Sequence, residues 1–221
     1  MDTILDVFVE PVVSSDQFQQ IYREMIAFIR KNLTVDHDYG IVPGIAKPFL
    51  WQPGAEKLLK FFGLEFTWEP ITTIEDFFGQ DHEGEPFFYY SFKGSILKHG
   101  HVIVQSIGSC NSWEKKFRFR YQKRVCPACG EETIIKGRQE FGGGWVCFAK
   151  KGGCSAKFAD NDPIIINQPI GLINNPDPFD QVNTCQKMGL KRTLVGGVLV
   201  ACIAHEFFAF GIDDKDIEGS K

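Results

Sequence analysis

Four of the seven cysteines fall in one stretch, VCPACGEETIIKGRQEFGGGWVCFAKKGGC, residues 125–154. Their spacing is Cys126-x2-Cys129, seventeen residues, then Cys147-x6-Cys154. Two thiolates two residues apart can both reach one tetrahedral ion, and Gly130 permits the tight turn between them. The second pair is wider than the usual knuckle, and KKGGC supplies the small residues a longer turn needs. The pattern predicts a structural Zn²⁺ held by Cys126, Cys129, Cys147 and Cys154. Four thiolates would leave no open position for catalysis. Metal ligation would stabilise a segment whose apolar content is limited to Ile134, Ile135, Phe141, Trp145 and Phe148. Three other readings remain. Core cysteines occur, but not usually four in one polar, glycine-rich segment. A redox CxxC normally opens a helix, whereas these flanks look strand-like. A disulfide framework needs an oxidising compartment. Cys110, Cys185 and Cys202 are scattered among apolar or helical residues and read as buried, inert thiols.

Just before the first cysteine lies SWEKKFRFRYQKR, residues 112–124. Its alternation predicts a strand with Lys116, Arg118, Arg120, Gln122 and Arg124 on one face and Phe117, Phe119, Tyr121 and Lys123 on the other, packed on the core. Cations every second residue stand about 7 Å apart, near the phosphate spacing of an extended single strand. Charges on a solvent-facing strand also prevent edge pairing, but one or two lysines suffice for that. The row, with Lys115 at its start, therefore points to a polyanion site. The cysteine segment would extend it through Lys136, Arg138, Lys150, Lys151 and Lys157. The net charge is only −4, but its distribution is lopsided. Of 24 Lys/Arg and 28 Asp/Glu, 13 and 4 lie between Lys93 and Lys157, leaving 11 and 24 elsewhere.

Catalytic constellations are harder to find. Gly142 to Gly144 lack the Lys and Ser/Thr of a phosphate-binding loop. Asp36, His37 and Asp38 could approach a metal, but such a cluster reads first as a turn with capping carboxylates. His205-Glu206 has no second histidine four residues on. Glu65 and Glu69 alone do not make a nuclease site. The expected class is therefore a non-enzymatic protein.

The elements that must position these groups follow from periodicity. Residues 15–33 carry apolar side chains at three-to-four spacing behind Ser15 or Asp16 as cap, an amphipathic helix. Pro53 opens a second helix that ends near Gly63. GLEFTWEP, PFFYYSFKG, HVIVQSIG and KKFRFRYQK read as an antiparallel meander, with DHEGEP as a hairpin loop. After the cysteines, DPIIINQPIGLINNPDPFD reads as an irregular connection. Asp180 then caps a final helix running to about Phe208, in which Gly196 and Gly197 suggest close packing. The expected fold is α+β: an antiparallel meander packed against helices, with a zinc-ribbon-like insert. The divisions are 1–124, the insert 125–158, a connection and last helix over 159–212 that complete the same domain, and a flexible tail, 213–221. With 221 residues, 21 of them phenylalanine, the chain can bury a proper core. No apolar run reaches membrane-spanning length, and MDTILDVFVEP lacks the layout of a secretory signal, so a cytosolic setting is expected.

Three segments together resemble a known family. They are DYGIVPGIAKPFLWQPGAEKLLKFFGL, the meander with its CPxCG insert, and NPDPFDQVNTCQKMGLKRTLVGGVL. Gly54, Ala55 and Glu56 start a helix after a Lys-Pro loop. Asp180, Asn183, Thr184, Lys187, Met188, Lys191 and Arg192 follow the pattern of a late helix. The chain resembles the phage and bacterial single-strand annealing proteins of the Rad-fifty-two-like superfamily, often grouped with RecT and Erf. That resemblance implies a sheet folded against helices, ring or filament self-assembly, and single-stranded DNA held in a groove with its bases free to pair. It implies action in recombination and repair in the nucleoid-associated cytoplasm of a bacterial or phage-infected cell, beside a nuclease or replication protein. Lys187, Lys191 and Arg192 share a helical face and would add cations to the DNA surface. The competing readings are a nuclease-like zinc-ribbon enzyme and a protein-interaction module of a nucleoprotein complex.

Overall fold

A helix begins where the first orphan N–H groups find acceptors. Ser14 Oγ accepts the Gln17 N–H at 3.3 Å while Gln17 Oε1 accepts the Ser14 N–H at 2.9 Å, a reciprocal cap that starts α1 (Ser15–Asn32). The cap is thus one residue earlier than the sequence suggests. The computed structural model describes residues 11–41 and 47–209, without the Phe141 side chain. The tail 213–221 and the start of the chain lie outside them. After α1 come β1 (Tyr39–Gly40), β2 (Phe49–Leu50), α2 (Gln52–Phe62), β3 (Glu65–Asp76), β4 (Phe87–Lys98) and β5 (His101–Asn111). Next are α3 (Lys115–Arg118), β6 (Phe119–Gln122), β7 (Ile134–Lys136), β8 (Trp145–Cys147), β9 (Lys157–Phe158), α4 (Pro163–Ile166), β10 (Gly171–Asn174) and α5 (Gln181–Ala201). The α+β class with antiparallel sheets is as expected.

β3, β4 and β5 form one sheet in that order. His99 and Gly100, both at positive φ, make the two-residue turn between β4 and β5. The sheet's strands thread two compact units. One draws on residues up to Glu69, Phe92–Gly108 and from Leu190 on; the other on Pro70–Ser91 and Ser109–Gly189. The cysteine insert lies wholly in the second.

In the first unit, Met25 and Ile29 of α1, Leu58 and Leu59 of α2, Ile96 of β4 and Leu194, Val198 and Leu199 of α5 form the core. Helix and sheet approach closely because Gly94 has no side chain. A β carbon there would stand 2.5 Å from Thr193 Cγ2 and 2.6 Å from the Phe66 ring. The two helical glycines divide their roles. A β carbon on Gly197 would meet Ser106 Oγ at 3.0 Å and Ile96 at 3.1 Å, whereas Gly196 faces open space. Gly196→Ala is therefore expected to stabilise the fold by about 1 kcal/mol through helix propensity. Gly197→Ala should fall at least about 1 kcal/mol short of it, because overpacking offsets the same gain. Urea midpoints of the two variants check this.

α5 is shorter than expected. It stops at Ala201, and the chain turns through Ile203, a β-branched residue at φ 56°. The connection before it is also more ordered. It contains α4, capped by the Asp162 side chain on the Ile164 N–H, and β10, which pairs antiparallel with β6.

The largest departure is at 112–124, where no continuous strand forms. Asn111 Oδ1 accepts the Trp113 N–H at 2.9 Å, and the Glu114 carbonyl accepts the Phe117 and Arg118 N–H groups at 2.7 and 2.9 Å. Local bonding, to the Asn111 side chain and to the Glu114 backbone carbonyl, thus wins over the ladder. The chain makes the single helical turn α3 and resumes as β6. β6 joins β10 instead of the meander. The two-residue alternation is reset, and Tyr121, expected in the core, is 73% exposed.

Candidate metal centre

Each cysteine arrives on a short element whose turns are fixed by glycine and backbone hydrogen bonds. Cys126 and Cys129 lie on a knuckle closed by Gly130 N–H to Cys126 O at 2.8 Å and Cys126 N–H to Glu131 O at 2.9 Å. Gly130 sits at φ 78°, so the left-handed turn costs little. Cys147 ends β8, the middle strand of the β7-β8-β9 sheet. The six-residue gap to Cys154 is taken up by a 3-10 turn, Ala149–Lys151, with Gly152 left-handed at φ 90°. Gly153 must pass beneath the site. A β carbon on it would stand 2.6 Å from both Cys147 Sγ and Thr133 Oγ1.

These elements bring one sulfur from each of Cys126, Cys129, Cys147 and Cys154 within 4.8 Å of one another. Cys126 and Cys154 are 3.7 Å apart, and Cys129 and Cys147 are 3.6 Å apart. A tetrahedron with metal–sulfur bonds of about 2.3 Å has sulfur–sulfur edges of about 3.8 Å. The cluster fits one ion with all four positions filled, and the four cysteines could hold a metal ion. None of the chain's seven cysteines is disulfide-bonded.

The groups around Cys147 favour its thiolate, the form a metal ion would bind. Cys147 Sγ lies 3.1 Å from Thr133 Oγ1 and accepts the Cys154 N–H at 3.2 Å. The Thr133 hydroxyl first, then the Cys154 N–H, draw the Cys147 thiol down to about 7 against its burial. Sequence reasoning missed Thr133, and it read Gly153 only as one of the small residues a longer turn needs. Only the glycine pair before Cys154 hinted at a close approach. Cys110, Cys185 and Cys202 are buried, and burial pushes Cys202 up to about 12.

The expected cations fare unequally. Lys116 lies 3.6 Å from Glu114. Arg118 donates to Glu85 at 2.7 Å and stacks over Trp113 at 4.5 Å. Arg120 pairs with Asp177 at 3.1 Å, and Lys136 pairs with Asp160. Arg124 donates to the Ile165 carbonyl at 3.2 Å and lies 4.1 Å over Trp145. The expected row of free cations on a single strand is therefore not formed. Lys123, Arg138, Lys150, Lys151 and Lys157 differ. All five are exposed, with no carboxylate at ion-pair distance among the described residues. Lys115 is likewise exposed, as are Lys187, Lys191 and Arg192 on α5.

Two carboxylates are structural: Asp76, which the sequence did not single out, and Asp38, whose expected turn-capping role the structure shows. Asp76 Oδ1 accepts the Phe78 and Gln80 N–H groups, and Oδ2 accepts the Asp81 N–H and lies 2.8 Å from His82 Nδ1. These donors, His82 foremost, hold the Asp76 carboxyl far below its ordinary range. Asp38 is fully buried. Its carboxylate accepts from Lys57 Nζ at 2.6 Å and the Thr34 N–H at 2.8 Å, and lies 2.9 Å from His37 Nδ1. It is a turn anchor, and among the described residues the cysteines alone cluster as metal ligands.

No protein-family model, no curated protein and no solved structure matches the chain. Among the described residues no helix is long and apolar enough to cross a membrane.

Proposed function

We propose that the protein is a non-catalytic single-stranded-DNA-binding protein that carries one structural Zn²⁺ and promotes annealing of complementary strands. One observation carries the reading: the metal-held insert and its approach present Lys123, Arg138, Lys150, Lys151 and Lys157 to solvent without carboxylate partners. Like charges gathered on a small, rigid fold repel one another, and a phosphodiester chain relieves that repulsion while releasing counterions. Tyr121 supports it, since its ring is 73% exposed and free to stack on a base. The four-sulfur donor set suits zinc, and a closed coordination shell suits a structural role. Annealing needs no chemistry beyond neutralised phosphates and free base edges, so four filled metal positions are no handicap. The resemblance to the annealing proteins points the same way.

The test is binding to a labelled oligo-dT strand across salt concentrations. Affinity should fall steeply with salt, and Lys150→Glu with Lys151→Glu should weaken binding at least about tenfold. Losing two phosphate contacts should also flatten the log–log salt slope by about 1.4. Complementary strands should anneal without added divalent ions. A double variant that binds like the parent overturns the reading, and cleavage of the strand on adding Mg²⁺ would mean a nuclease instead. Charge reversal at Arg118 and Arg120 is a poorer test, because it breaks their pairs with Glu85 and Asp177.

A further inference from the structure

The sheet β3-β4-β5 has two outer edges, and they are built differently. β3 carries Glu65, Glu69, Glu75 and Asp76, and Pro70 interrupts its donors. Carboxylates and a proline are the ordinary means of keeping an edge strand unpaired. β5 has neither. From Val102 to Asn111 it holds no charged residue and no proline. It is eleven residues long and leaves Val102, Ile103 and Ile107 52%, 48% and 70% exposed. No strand among the described residues pairs with its outer edge.

β5 is also self-complementary. Val104 packs against the core and Ser106 Oγ donates to Thr193 O at 2.7 Å, so these side chains face the helices. Ile103, Gln105 and Ile107 therefore face the other way, and the Gln105 amide reaches Ser95 on β4 at 3.4 Å. Two copies of β5 running antiparallel about a two-fold axis at Gln105 would set Ile103 opposite Ile107 of the other copy, twice. Val104 would oppose Ser106, and Val102 would oppose Gly108, whose lack of a side chain leaves room. A slip of one residue would place core-facing side chains opposite solvent-facing ones. A slip of two would leave isoleucine facing Gln105. Like strands meeting here bring no like charges together, whereas two β3 edges would oppose carboxylates.

We infer that the β5 edge is an interface with a second copy of this chain, paired antiparallel about Gln105 into one continuous six-stranded sheet. The contact is isologous, so it closes at two copies, with the guarded β3 strands at both ends. This inference is independent of DNA binding.

Sedimentation equilibrium of the purified protein at tens of micromolar tests it. The parent should have twice the 25.0 kDa of one chain. Ile107→Lys changes a side chain that is 70% exposed, so circular dichroism should be unaltered while the mass falls to that of one chain. Gln105→Cys should yield a disulfide-linked dimer on mild oxidation, because opposed Cα atoms about 5 Å apart suit a disulfide. Thr72→Cys on β3 should not. A monomeric parent overturns the inference, as does an assembly of any size whose mass Ile107→Lys leaves unchanged. A ring or filament joining β5 to β3 would not link Gln105→Cys to its own kind, and that result overturns it too.

Discussion

Cys147→Ser should abolish metal binding and unfold the insert while leaving the first unit folded. The parent should carry about one ion per chain, the stoichiometry of a four-thiolate site, and the variant essentially none. The reason lies in what the insert buries. Between residues 125 and 158 only Cys126, Gly144 and Cys147 are buried among described side chains, while Ile134, Ile135, Trp145 and Phe148 are half-exposed. Such a segment has no apolar core of its own, and a metal held by the four cysteines would take that place. Structural zinc in small domains contributes about 10–16 kcal/mol of apparent binding energy, which is then folding energy. Serine at Cys147 removes a sulfur 3.6 Å from Cys129 and the acceptor of the Thr133 and Cys154 donors. Limited proteolysis should cut the variant within 125–158, and a strong chelator should do the same to the parent. The first unit's core uses none of these residues and should keep its cooperative transition. Cys110→Ser, at a buried cysteine outside the cluster, should retain the ion. A Cys147→Ser protein with a full complement of metal would contradict the ligand assignment.

Local pattern reveals some of this architecture and hides the rest. The cysteine cluster was legible because each pair of cysteines is close in sequence and its turn residues, Gly130 and Gly152, announce themselves. The first two helices were legible through apolar spacing, Pro53 and Gly63, although the first cap, read as Ser15 or Asp16, is Ser14. The segment 112–124 was misread for an equally physical reason. Its period of two is real in composition, but Asn111 and Glu114 offer local hydrogen bonds that make a turn. Its cations also find carboxylates far along the chain. Arg118 meets Glu85 at a separation of 33 residues, and Arg120 meets Asp177 at 57. Periodicity carries no information about partners at that range. The strand partner of β6 was hidden similarly, since GLIN is four residues set among Pro and Asn. Charge counting finds the basic stretch, yet only three-dimensional pairing separates the neutralised cations from Lys123, Arg138, Lys150, Lys151 and Lys157.

Asp38→Asn should cost about 2–4 kcal/mol, as losing one partner of a buried, hydrogen-bonded charge does. The substitution conserves shape, so the loss reports charge and hydrogen bonding and not a cavity. Asp38 Oδ2 accepts from both Lys57 and Thr34, and an amide nitrogen in that position would face two donors. If the amide flips, the nitrogen faces His37 Nδ1. The same residue positions α2 through its backbone: Trp51 N–H donates to Asp38 O at 2.9 Å. Gly54 packs so closely on that carbonyl that a β carbon would come within 2.4 Å. The Gly-Ala-Glu helix start thus has a local cause, because the first turn of α2 rests on the Asp38 backbone. The pH dependence has a definite sign. Burial works to raise the Asp38 carboxyl, but Lys57, Thr34 and His37 together hold it below the ordinary 3.8. A carboxyl lowered in the folded state stabilises fully above its unfolded value and loses that contribution as pH falls through the folded one. The stability gap between parent and Asp38→Asn in urea titrations should therefore be constant from neutral pH down to about 5 and narrow below about 4. Lys57→Met should cost less, because the ammonium is 41% exposed and Thr34 and His37 still serve the carboxylate. If the gap instead widens as pH falls, the carboxylate is not the group that these donors stabilise, and the anchor beneath α2 must lie in the backbone alone.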